Sequence, residues 1–397
     1  MRIVHYHLAI QLERGGVVRA VLDLSGAVAG AGTDVILATP DPVDVPDDWP
    51  VVDLSELTAN PEFPSGRPLV VRTPPPDRRG GRFSPTVLDA HTALFDDDTR
   101  LHLHGMWSPR SVQLGRLARA RRVPYVISPH GMLDEWSMQQ KQLKKRAYLW
   151  ITGRRWLEGA ATLLCTAEAE LQQAQRWMPH NRGTSLPLIM DLEPFREPVG
   201  PELAAARFPE VASDDPVCLF LSRIHVKKGV ERLIEAMAQL RSGGTPVRAI
   251  VAGSGDEDYS AALQRQVGER GLDDSISFPG FVRGREKVSL YEACELFVLP
   301  TSQENFGFVI FEAMAAGTPV ITTRGVDTWP EIESSGGGVV VDATPEAIAK
   351  AIKELLGDPE RRRAMGAAGR AWALKNLAAD AVVERYLEMY RAAAHPS

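Results

Sequence analysis

An apolar helix between two apolar strands constrains the fold of this chain more than any other feature. Residues 296–325 read LFVLPTSQENFGFVIFEAMAAGTPVITTRG. The runs Leu296–Leu299 and Val320–Thr322 predict buried parallel strands, because apolar residues are continuous in them. Small and apolar residues between these runs predict a helix from about Gly307 to Ala316. A strand, a loop, a helix and a second strand in this order indicate an open parallel sheet covered by helices.

Two glutamates stand out in this unit. Glu304 lies in the loop before the helix, and Glu312 lies inside the helix among Phe, Val, Ile, Ala and Met. A carboxylate in so apolar a segment is costly unless it is hydrogen-bonded, and the two hydroxyls of a ribose would suit Glu312. The backbone N–H groups at the helix start, after Asn305, Phe306 and Gly307, suit a phosphate. The alternative is an acidic helix cap and a charge at the helix edge.

The segment ENFGFVIFEAMAAGTPVI resembles the Glu-x7-Glu signature of the retaining nucleotide-sugar glycosyltransferases of family 4. This resemblance implies the GT-B fold, an α/β fold in which two Rossmann-like domains face each other across a cleft. It also implies transfer of a sugar from a nucleotide diphosphate sugar to a hydroxyl acceptor, with no metal ion and no further cofactor. Within the signature, Glu312 is expected to hold the ribose and Glu304 to position the donor sugar.

Composition excludes several other classes of protein. The 397 residues suffice for two domains with separate cores, and the contents of 44% hydrophobic and 24% charged residues are those of a globular protein. A net charge of −6 argues against nucleic-acid binding. Cys165, Cys218 and Cys294 lack metal-ligand spacing and predict buried thiols in a reducing compartment. Without an 18-residue apolar run or a cleavage-site pattern after MRIVHYHLAI, a cytoplasmic protein is predicted.

The first residues predict the opening of a Rossmann-like domain. The predicted elements are a strand over residues 1–8, a loop with Gly15 and Gly16, a helix over residues 17–29 and a strand over residues 34–38. Paired glycines let a ligand approach the backbone, and the resemblance implies that Gly15 and Gly16 lie beside the donor phosphates and the acceptor. The acidic triplet Asp96–Asp98 precedes a strand and predicts a solvated turn, although such triplets bind metal in the other glycosyltransferase fold.

Histidines mark the ends of two further predicted strands. His102 and His104 lie in RLHLHGMW, and His130 lies in SPHGML. Isolated histidines are usually structural, which is the prediction for His102 and His104. A His-Gly pair at the carboxyl end of a parallel strand lies where such sheets bind ligands. The resemblance implies that His130 contacts the donor sugar, and SPHGML is similar to a subset of the family that builds bacterial surface polysaccharides.

Residues 138–157, MQQKQLKKRAYLWITGRRWL, predict a basic amphipathic helix. Leu143, Ala147, Trp150 and Ile151 share one helical face, and Lys and Arg residues surround it. The pattern predicts an apolar stripe packed on the core beneath a solvated basic face. The alternative is a patch over residues 141–155 that meets anionic lipid head groups or a lipid diphosphate acceptor.

Cations follow the first predicted strand of the second half, Val217–Leu221. Arg223 and Lys228 lie between this strand and a helix, which favours a diphosphate clamp over a basic surface loop. The spacing Arg-x4-Lys-Gly is similar to the diphosphate-binding pair of the family. Gly253 follows another strand in a Gly-x-Gly without the third glycine of a dinucleotide fingerprint, so nicotinamide binding is weakly supported and Gly253 is assigned to the nucleotide sugar.

A short strand and turn over residues 276–282 follow, and the resemblance implies that Phe281, Val282 and Arg283 line the nucleobase pocket. Residues 345–356, 359–376 and 378–394 predict helices. The domains predicted from the whole pattern are an acceptor-binding domain over 1–195, a nucleotide-sugar-binding domain over 196–376 and a helix over 377–397 that packs back on the first domain.

The sequence therefore predicts a retaining hexosyltransferase with His130, Glu304, Arg223 and Lys228 as its catalytic residues. We expect a UDP- or GDP-linked donor and a saccharide or lipid-linked saccharide acceptor in cell-surface polysaccharide synthesis, with peripheral contact at the inner membrane face. The alternatives are a glycosyltransferase for soluble small molecules or natural products, a nucleotide-sugar epimerase or phosphorylase of the same fold, and a sugar-binding protein without activity.

Overall fold

The computed structural model describes residues 1–58, 61–178 and 182–393. These residues form two compact units, each with its own parallel sheet. The first unit comprises Met1–Met190 and the C-terminal segment from Ala379, and the second comprises Asp191–Ala378. Residues 394–397 of the predicted C-terminal part lie outside the described residues. The predicted α/β class is confirmed.

The sheet of the first unit contains eight strands among the described residues. They are β1 (Arg2–Tyr6), β2 (Asp34–Thr39), β3 (Val51–Asp53), β4 (Leu69–Arg72), β5 (Thr99–His104), β6 (Tyr125–Ser128), β7 (Thr162–Cys165) and β8 (Gly183–Ser185). The spatial order is β3-β4-β2-β1-β5-β6-β7-β8, and neighbouring strands run parallel. His5 on β1 lies opposite His102 on β5.

Helices of the first unit follow the strands as a Rossmann-like pattern requires. They are α1 (Gly16–Gly30), α2 (Pro85–Ala90), α3 (Pro109–Ala120), α4 (Glu135–Gln139), α5 (Gln142–Tyr148), α6 (Arg154–Glu158) and α7 (Glu168–Gln175). The C-terminal helix, Ala379–Ala392, packs on α1 and buries Tyr386 and Tyr390 in the core of this unit. The triplet Asp96–Asp98 forms the predicted turn before β5, and Asp98 pairs with the N-terminal amine.

The basic segment departs from its prediction. A π-helical turn, Leu149–Gly153, joins α5 to α6 and shifts the helical repeat. The side chains that enter the core are Leu149, Trp156 and Leu157, and Trp156 lies so close to Gly115 that a Cβ there would be 2.5 Å from its Nε1. The predicted stripe is instead exposed: Leu143, Trp150 and Ile151 are 82%, 85% and 67% accessible. The prediction that these residues pack on the core is therefore wrong.

The sheet of the second unit contains six strands among the described residues. They are β9 (Val217–Leu221), β10 (Arg248–Ala252), β11 (Ile276–Gly280), β12 (Leu296–Leu299), β13 (Val320–Thr323) and β14 (Gly338–Val341). Their spatial order is β11-β10-β9-β12-β13-β14, and all neighbours are parallel. Because β9 and β12 lie side by side, the loops that follow them open at the same edge of the sheet.

Eight helices surround this sheet in the described part of the second unit. They are α8 (Glu202–Arg207), α9 (Val230–Ser242), α10 (Glu257–Glu269), α11 (Gly284–Ala293), α12 (Phe308–Ala316), α13 (Trp329–Ser334), α14 (Pro345–Leu356) and α15 (Pro359–Asn376). The helix of the first unit that follows them in the chain, Ala379–Ala392, is α16. The predicted helix between the strands at 296–299 and 320–322 is confirmed as α12, and β12 and β13 are its flanking strands.

Two predictions from composition concern the core and the membrane. Cys165, Cys218 and Cys294 are buried free thiols, as predicted. Burial raises the pKa of Cys218 and of Cys294, which keeps both thiols protonated and unreactive. Within the described ranges, no helix combines the length and apolarity needed to cross a bilayer.

Candidate active site

Two loops at the carboxyl edge of the second sheet are bonded to each other. The loop after β9 carries Lys227 and Lys228, and the loop after β12 begins at Pro300. The Ser302 N–H donates to the Lys227 carbonyl oxygen at 2.7 Å. Gly229 has φ of +75°, and a Cβ at this position would lie 2.2 Å from the Pro300 carbonyl oxygen. The loops can approach this closely only because residue 229 is a glycine.

This contact brings together two of the predicted catalytic side chains. The Lys228 Nζ donates to the Glu304 Oε2 in an ion pair whose two side chains are largely buried. Glu304 is itself fixed by its backbone, since its N–H donates to the Gly325 carbonyl at 2.7 Å and its carbonyl accepts the Asp327 N–H at 2.9 Å. The site therefore holds a buried cation whose position is defined before any ligand arrives.

Burial, together with the neighbouring cations Arg223 and Lys227, lowers the pKa of Lys228 to about 7. The Glu304 carboxylate acts in the opposite direction, because an adjacent negative charge favours the ammonium form. Arg223 lies two residues after the end of β9, is exposed, and forms no ion pair with any residue in the described ranges. Lys228 has a pKa near neutral pH and lies beside an arginine without an ion pair in the described ranges. An anion bound here would be stabilised by Arg223 and would favour the charged form of Lys228.

The start of α12 lies next to this pair. Gly307 precedes the helix with φ of +79°, a conformation that favours glycine, and a Cβ there would lie 3.4 Å from the Glu304 Cγ. Phe306 is buried against Phe311, and the Asn305 side chain donates to the Asp327 carboxylate at 3.3 Å. These contacts aim the positive end of the helix dipole at the edge where Glu304 lies.

Glu312 has two partners that the sequence did not reveal. The Lys287 Nζ lies 2.7 Å from its Oε1, and the Tyr291 hydroxyl donates to its Oε2 at 3.1 Å. Burial next to Glu312 keeps the pKa of Tyr291 well above its ordinary value, so the phenol remains a donor. Lys287 and Tyr291 are one turn apart on α11, and this spacing is the signal that could have identified them.

The remaining predicted residues of the second unit lie along the same sheet edge. Gly253 has φ of +145°, and a Cβ would lie 1.8 Å from the Ser222 carbonyl oxygen, so the loop after β10 lies directly against the loop after β9. Phe281 and Val282 follow β11 and precede α11. Phe281 is exposed, whereas Val282 is buried. Gly253 thus has a packing role, and Phe281 offers an open aromatic face.

The predicted residues of the first unit lie at two separate places. Gly15 and Gly16 form the start of α1, with open space around the position that a Gly15 Cβ would occupy. His130 follows β6 in the left-handed region, with φ of +51°. The next residue, Gly131, donates its N–H to the buried Glu170 carboxylate at 2.5 Å. Glu170 was missed by sequence reasoning because its partner is 39 residues away along the chain.

His130 is partly buried and ends a chain of imidazoles whose other members, His104 and His5, are buried. Its Nε2 lies 3.1 Å from the His104 Nδ1, and the His104 Nε2 lies 3.0 Å from the His5 Nδ1. The neighbouring His102 bonds to the Tyr390 hydroxyl at 2.6 Å and to the Ser128 hydroxyl at 2.8 Å.

His5, His102 and His104 present nitrogens within 4.8 Å of one another, a grouping that metal sites share. Both nitrogens of His102 are already engaged by hydroxyl groups, and His5 and His104 bond each other, so hydrogen bonding accounts for this cluster.

Comparison with known proteins defines the class. Residues 204–372 match the family model described as "Glycosyl transferases group 1", and residues 15–188 match the "Glycosyl transferase 4-like domain". The two matches fall in the second and the first unit respectively. Among solved structures, Anabaena HepE in complex with UDP-glucose aligns over 98% of this chain and 99% of its own, with a TM-score of 0.75 and 18% identity. The fold is therefore the GT-B fold of glycosyltransferases.

Two mannosyltransferases are similar to this chain in sequence. A Corynebacterium glutamicum GDP-mannose-dependent monoacylated alpha-(1-6)-phosphatidylinositol monomannoside mannosyltransferase is 32% identical over 72% of this chain and 76% of its own length. A Mycobacterium tuberculosis GDP-mannose-dependent alpha-(1-6)-phosphatidylinositol dimannoside mannosyltransferase is 31% identical over 65% of this chain and 66% of its own length. The chain belongs to family 4 of the glycosyltransferases, the retaining enzymes that use nucleotide-sugar donors.

Proposed function

We propose that the protein transfers a hexose, with retention, from a GDP- or UDP-linked sugar to a hydroxyl of a lipid-linked saccharide. The observation that carries this proposal is the cationic group at the carboxyl ends of β9 and β12. It consists of the buried Lys228, the unpaired Arg223 and the positive end of α12. These three features favour the same ligand, an anion with more than one negative charge.

This cationic group, called the diphosphate clamp below, has N–H donors left for a diphosphate. An ammonium group has three N–H donors, and Glu304 occupies one of those of Lys228. The other two, with the guanidinium of Arg223, stabilise the charge that develops on the diphosphate as the bond to the anomeric carbon breaks. The acceptor hydroxyl attacks the anomeric carbon on the face that the diphosphate leaves, and its proton passes to an oxygen of the departing phosphate. The reaction then needs neither a metal ion nor a protein nucleophile.

We assign Glu312 to the ribose. Lys287 and Tyr291 fix its carboxylate, and each carboxylate oxygen has a second lone pair with which to accept a ribose hydroxyl. Gly253 and the exposed ring of Phe281 lie on the same edge and are assigned to the nucleotide. Glu304 and His130 are assigned to the donor sugar, and Gly15 and Gly16 to its phosphates and the acceptor, as the family resemblance implies.

The acceptor is proposed from the exposed surface of the first unit. Leu143, Trp150 and Ile151 project into solvent from α5 and the π-helical turn, and the exposed Lys141 and Lys144 lie beside them. Exposed apolar side chains ringed by cations match the interface of an anionic bilayer, where the apolar groups insert and the cations meet head groups. The protein is thereby expected to bind membranes peripherally and to take its acceptor from the lipid surface.

The relatives support a narrower choice of substrates. Both mannosyltransferases named above use GDP-mannose and act on mannosides of phosphatidylinositol. GDP-mannose is therefore the first donor to test and a phosphatidylinositol mannoside the first acceptor, with UDP-glucose as the second donor.

The test is a transfer assay with purified protein, a metal chelator, each donor in turn, and vesicles that contain the acceptor lipid. Mass spectrometry of the lipid should show the addition of one hexose, and the one-bond C–H coupling of its anomeric carbon should show the same configuration as in the donor. Release of free hexose alone, or isomerisation of the nucleotide sugar, would contradict transfer and favour a hydrolytic or epimerase activity.

A further inference from the structure

The histidine chain, defined as His5, His104 and His130, can be polarised in two directions. A neutral imidazole carries one proton, so each ring donates through one nitrogen and accepts through the other. In one direction His5 donates to His104 and His104 donates to His130. In the other direction every proton is on the opposite nitrogen and His130 is the first donor.

The His5 end of the histidine chain decides which of these two directions is favoured. The Nε2 of His5 is buried and has no hydrogen-bond partner among the described residues. If His130 were the first donor, this nitrogen would carry an N–H group with nothing to receive it. Buried N–H groups without partners are rarer than buried acceptors without partners. The favoured direction is therefore from His5 through His104 to His130.

Each ring of the chain is neutral, as this polarisation requires. Burial lowers the pKa of His5 to about 3 and that of His130 to about 3. Burial and the surrounding histidines, His102 foremost, hold the pKa of His104 well below its ordinary value. None of the three rings gains a second proton near neutral pH.

We propose that His5 and His104 are positioning residues that hold His130 as its Nδ1–H tautomer. The Nε2 of His130 accepts from His104, so the ring can act at its other nitrogen only as a donor. It would then donate a hydrogen bond to an oxygen of the donor sugar and could not serve as a general base. This catalytic consequence rests on the proposed function, whereas the tautomer itself is a property of the protein without ligand.

The direct test is ring-nitrogen NMR on protein labelled with ¹⁵N-histidine and free of substrate, with the His130 signals assigned through a His130→Gln variant. The favoured direction of the histidine chain predicts a protonated Nδ1 and an unprotonated Nε2 for His130. The opposite pattern in the wild-type protein would overturn the proposal without any further variant.

Substitutions at His104 and His5 distinguish a directional hydrogen-bond relay from a role of these residues in packing alone. An asparagine amide places its N–H groups where the Nδ1 of histidine lies, and a glutamine amide places them where the Nε2 lies. His104→Asn should therefore retain the Nδ1–H tautomer of His130, and His104→Gln should lose it. His5→Asp should also lose it, although residue 5 does not contact His130, because a carboxylate can only accept from the His104 Nε2 and the relay is then reversed. Tyr390→Phe removes a partner of His102 only and serves as the buried control.

The variants that lose the Nδ1–H tautomer of His130 should also lose catalytic efficiency. With the best donor and acceptor, kcat/KM should fall about tenfold in His104→Gln and remain within about twofold of wild type in His104→Asn and Tyr390→Phe, as expected for one misaligned hydrogen bond.

Three outcomes would overturn the proposal. These are an unchanged His130 tautomer in both His104→Gln and His5→Asp, an unchanged kcat/KM in His104→Gln, and a stoichiometric metal ion on the purified protein bound through these histidines. Failure of every donor to react would count against the proposed function and leave the NMR result standing.

Discussion

The two units share one architecture but place their charges differently. In the second unit the loops at the carboxyl edge and the helices that follow them carry charged side chains, namely the Lys228–Glu304 pair, the Lys287–Glu312 pair and Arg223. In the first unit the corresponding edge carries imidazoles that burial keeps neutral, with Arg110 beside Tyr6. Further cations of this unit are exposed on α5 and α6.

This difference matches two kinds of ligand. A diphosphate needs cations that are already in place, because oriented charges cost no reorganisation during the reaction. Sugar hydroxyls need directional donors and acceptors, which neutral imidazoles supply. The exposed cations of α5 and α6 provide long-range attraction to an anionic surface. The predictions below test this division of labour, from the largest expected effect to the smallest.

Removal of the buried cation should have the largest effect. Lys228→Met keeps the length of the side chain but removes its charge and leaves Glu304 unpaired beside the diphosphate. We expect kcat/KM to fall by about 100-fold, since loss of one preorganised electrostatic partner costs about 3 kcal/mol. Steady-state kinetics with saturating acceptor measures this. Lys353→Met, on an exposed part of α14, should leave kcat/KM unchanged. A loss of less than about threefold for Lys228→Met would show that the diphosphate does not use this residue.

The surface of the first unit should govern membrane binding and not donor binding. In the double variant Trp150→Ser with Ile151→Ser, partition into vesicles with anionic phospholipid should weaken about thirtyfold, because about 2 kcal/mol of apolar burial is lost. Sedimentation with vesicles measures the partition, and the affinity for GDP or UDP provides the control. Equal partition of variant and wild type would contradict the proposed membrane binding. Weaker binding of GDP or UDP by the variant would contradict the claim that this surface of the first unit has no part in donor binding.

The second glutamate should act on the donor through its ribose. Glu312→Gln keeps the shape of the side chain but loses the charge, and we expect the KM for the donor to rise about tenfold with little change in kcat. Lys287→Met, which removes the partner that orients Glu312, should raise the same KM about threefold. A 2′-deoxyribose donor should reduce the difference between Glu312→Gln and wild type, because one of the two hydroxyls assigned to Glu312 is then absent. If the deoxy donor leaves the full difference, Glu312 does not bind that hydroxyl.

The smallest effect concerns the proton on Lys228. Because its pKa is lowered to about 7 in the free protein, a diphosphate that requires the ammonium form must draw a proton from solution above that pH. The affinity for a nucleotide sugar, whose diphosphate does not titrate here, should fall about fivefold between pH 7 and pH 8. Calorimetry in buffers of different ionisation enthalpy measures the uptake.

Lys228→Arg supplies the matched control, since a guanidinium remains charged throughout and the affinity should then not depend on pH. Identical enthalpies in all buffers at pH 8 for the wild-type protein would mean that Glu304 keeps Lys228 charged before the ligand binds.

Much of the fold was predictable because the signals are local. Continuous apolar runs identified β9, β12 and β13, and the glycines before α1 and α12 marked strand–loop–helix turns. The position of Arg223, Lys228 and Glu304 at one sheet edge also followed from sequence, because each residue lies in a loop that follows a strand of the same parallel sheet.

Pairings between distant residues were not predictable in the same way. Lys228 and Glu304 are 76 residues apart, and His5 and His104 are 99 apart, so only the folded chain reveals that they bond. The burial of the basic segment was predicted on the wrong face: α5 buries none of its side chains, and those that enter the core, Leu149, Trp156 and Leu157, lie in or after the π-helical turn. Regular spacing of 3.6 residues assumes an unbroken helix, and nothing in a hydropathy pattern reports one inserted residue.

The most direct test of the central claim compares GDP with GMP, and UDP with UMP, by titration calorimetry in the presence of a chelator. Wild type and Arg223→Met are each titrated with all four nucleotides. A diphosphate clamp predicts that one diphosphate binds wild type without metal and at least about tenfold more tightly than its monophosphate, and that Arg223→Met loses most of this preference. Equal affinity of wild type for the diphosphate and monophosphate, or a preference that survives in Arg223→Met, would contradict the clamp.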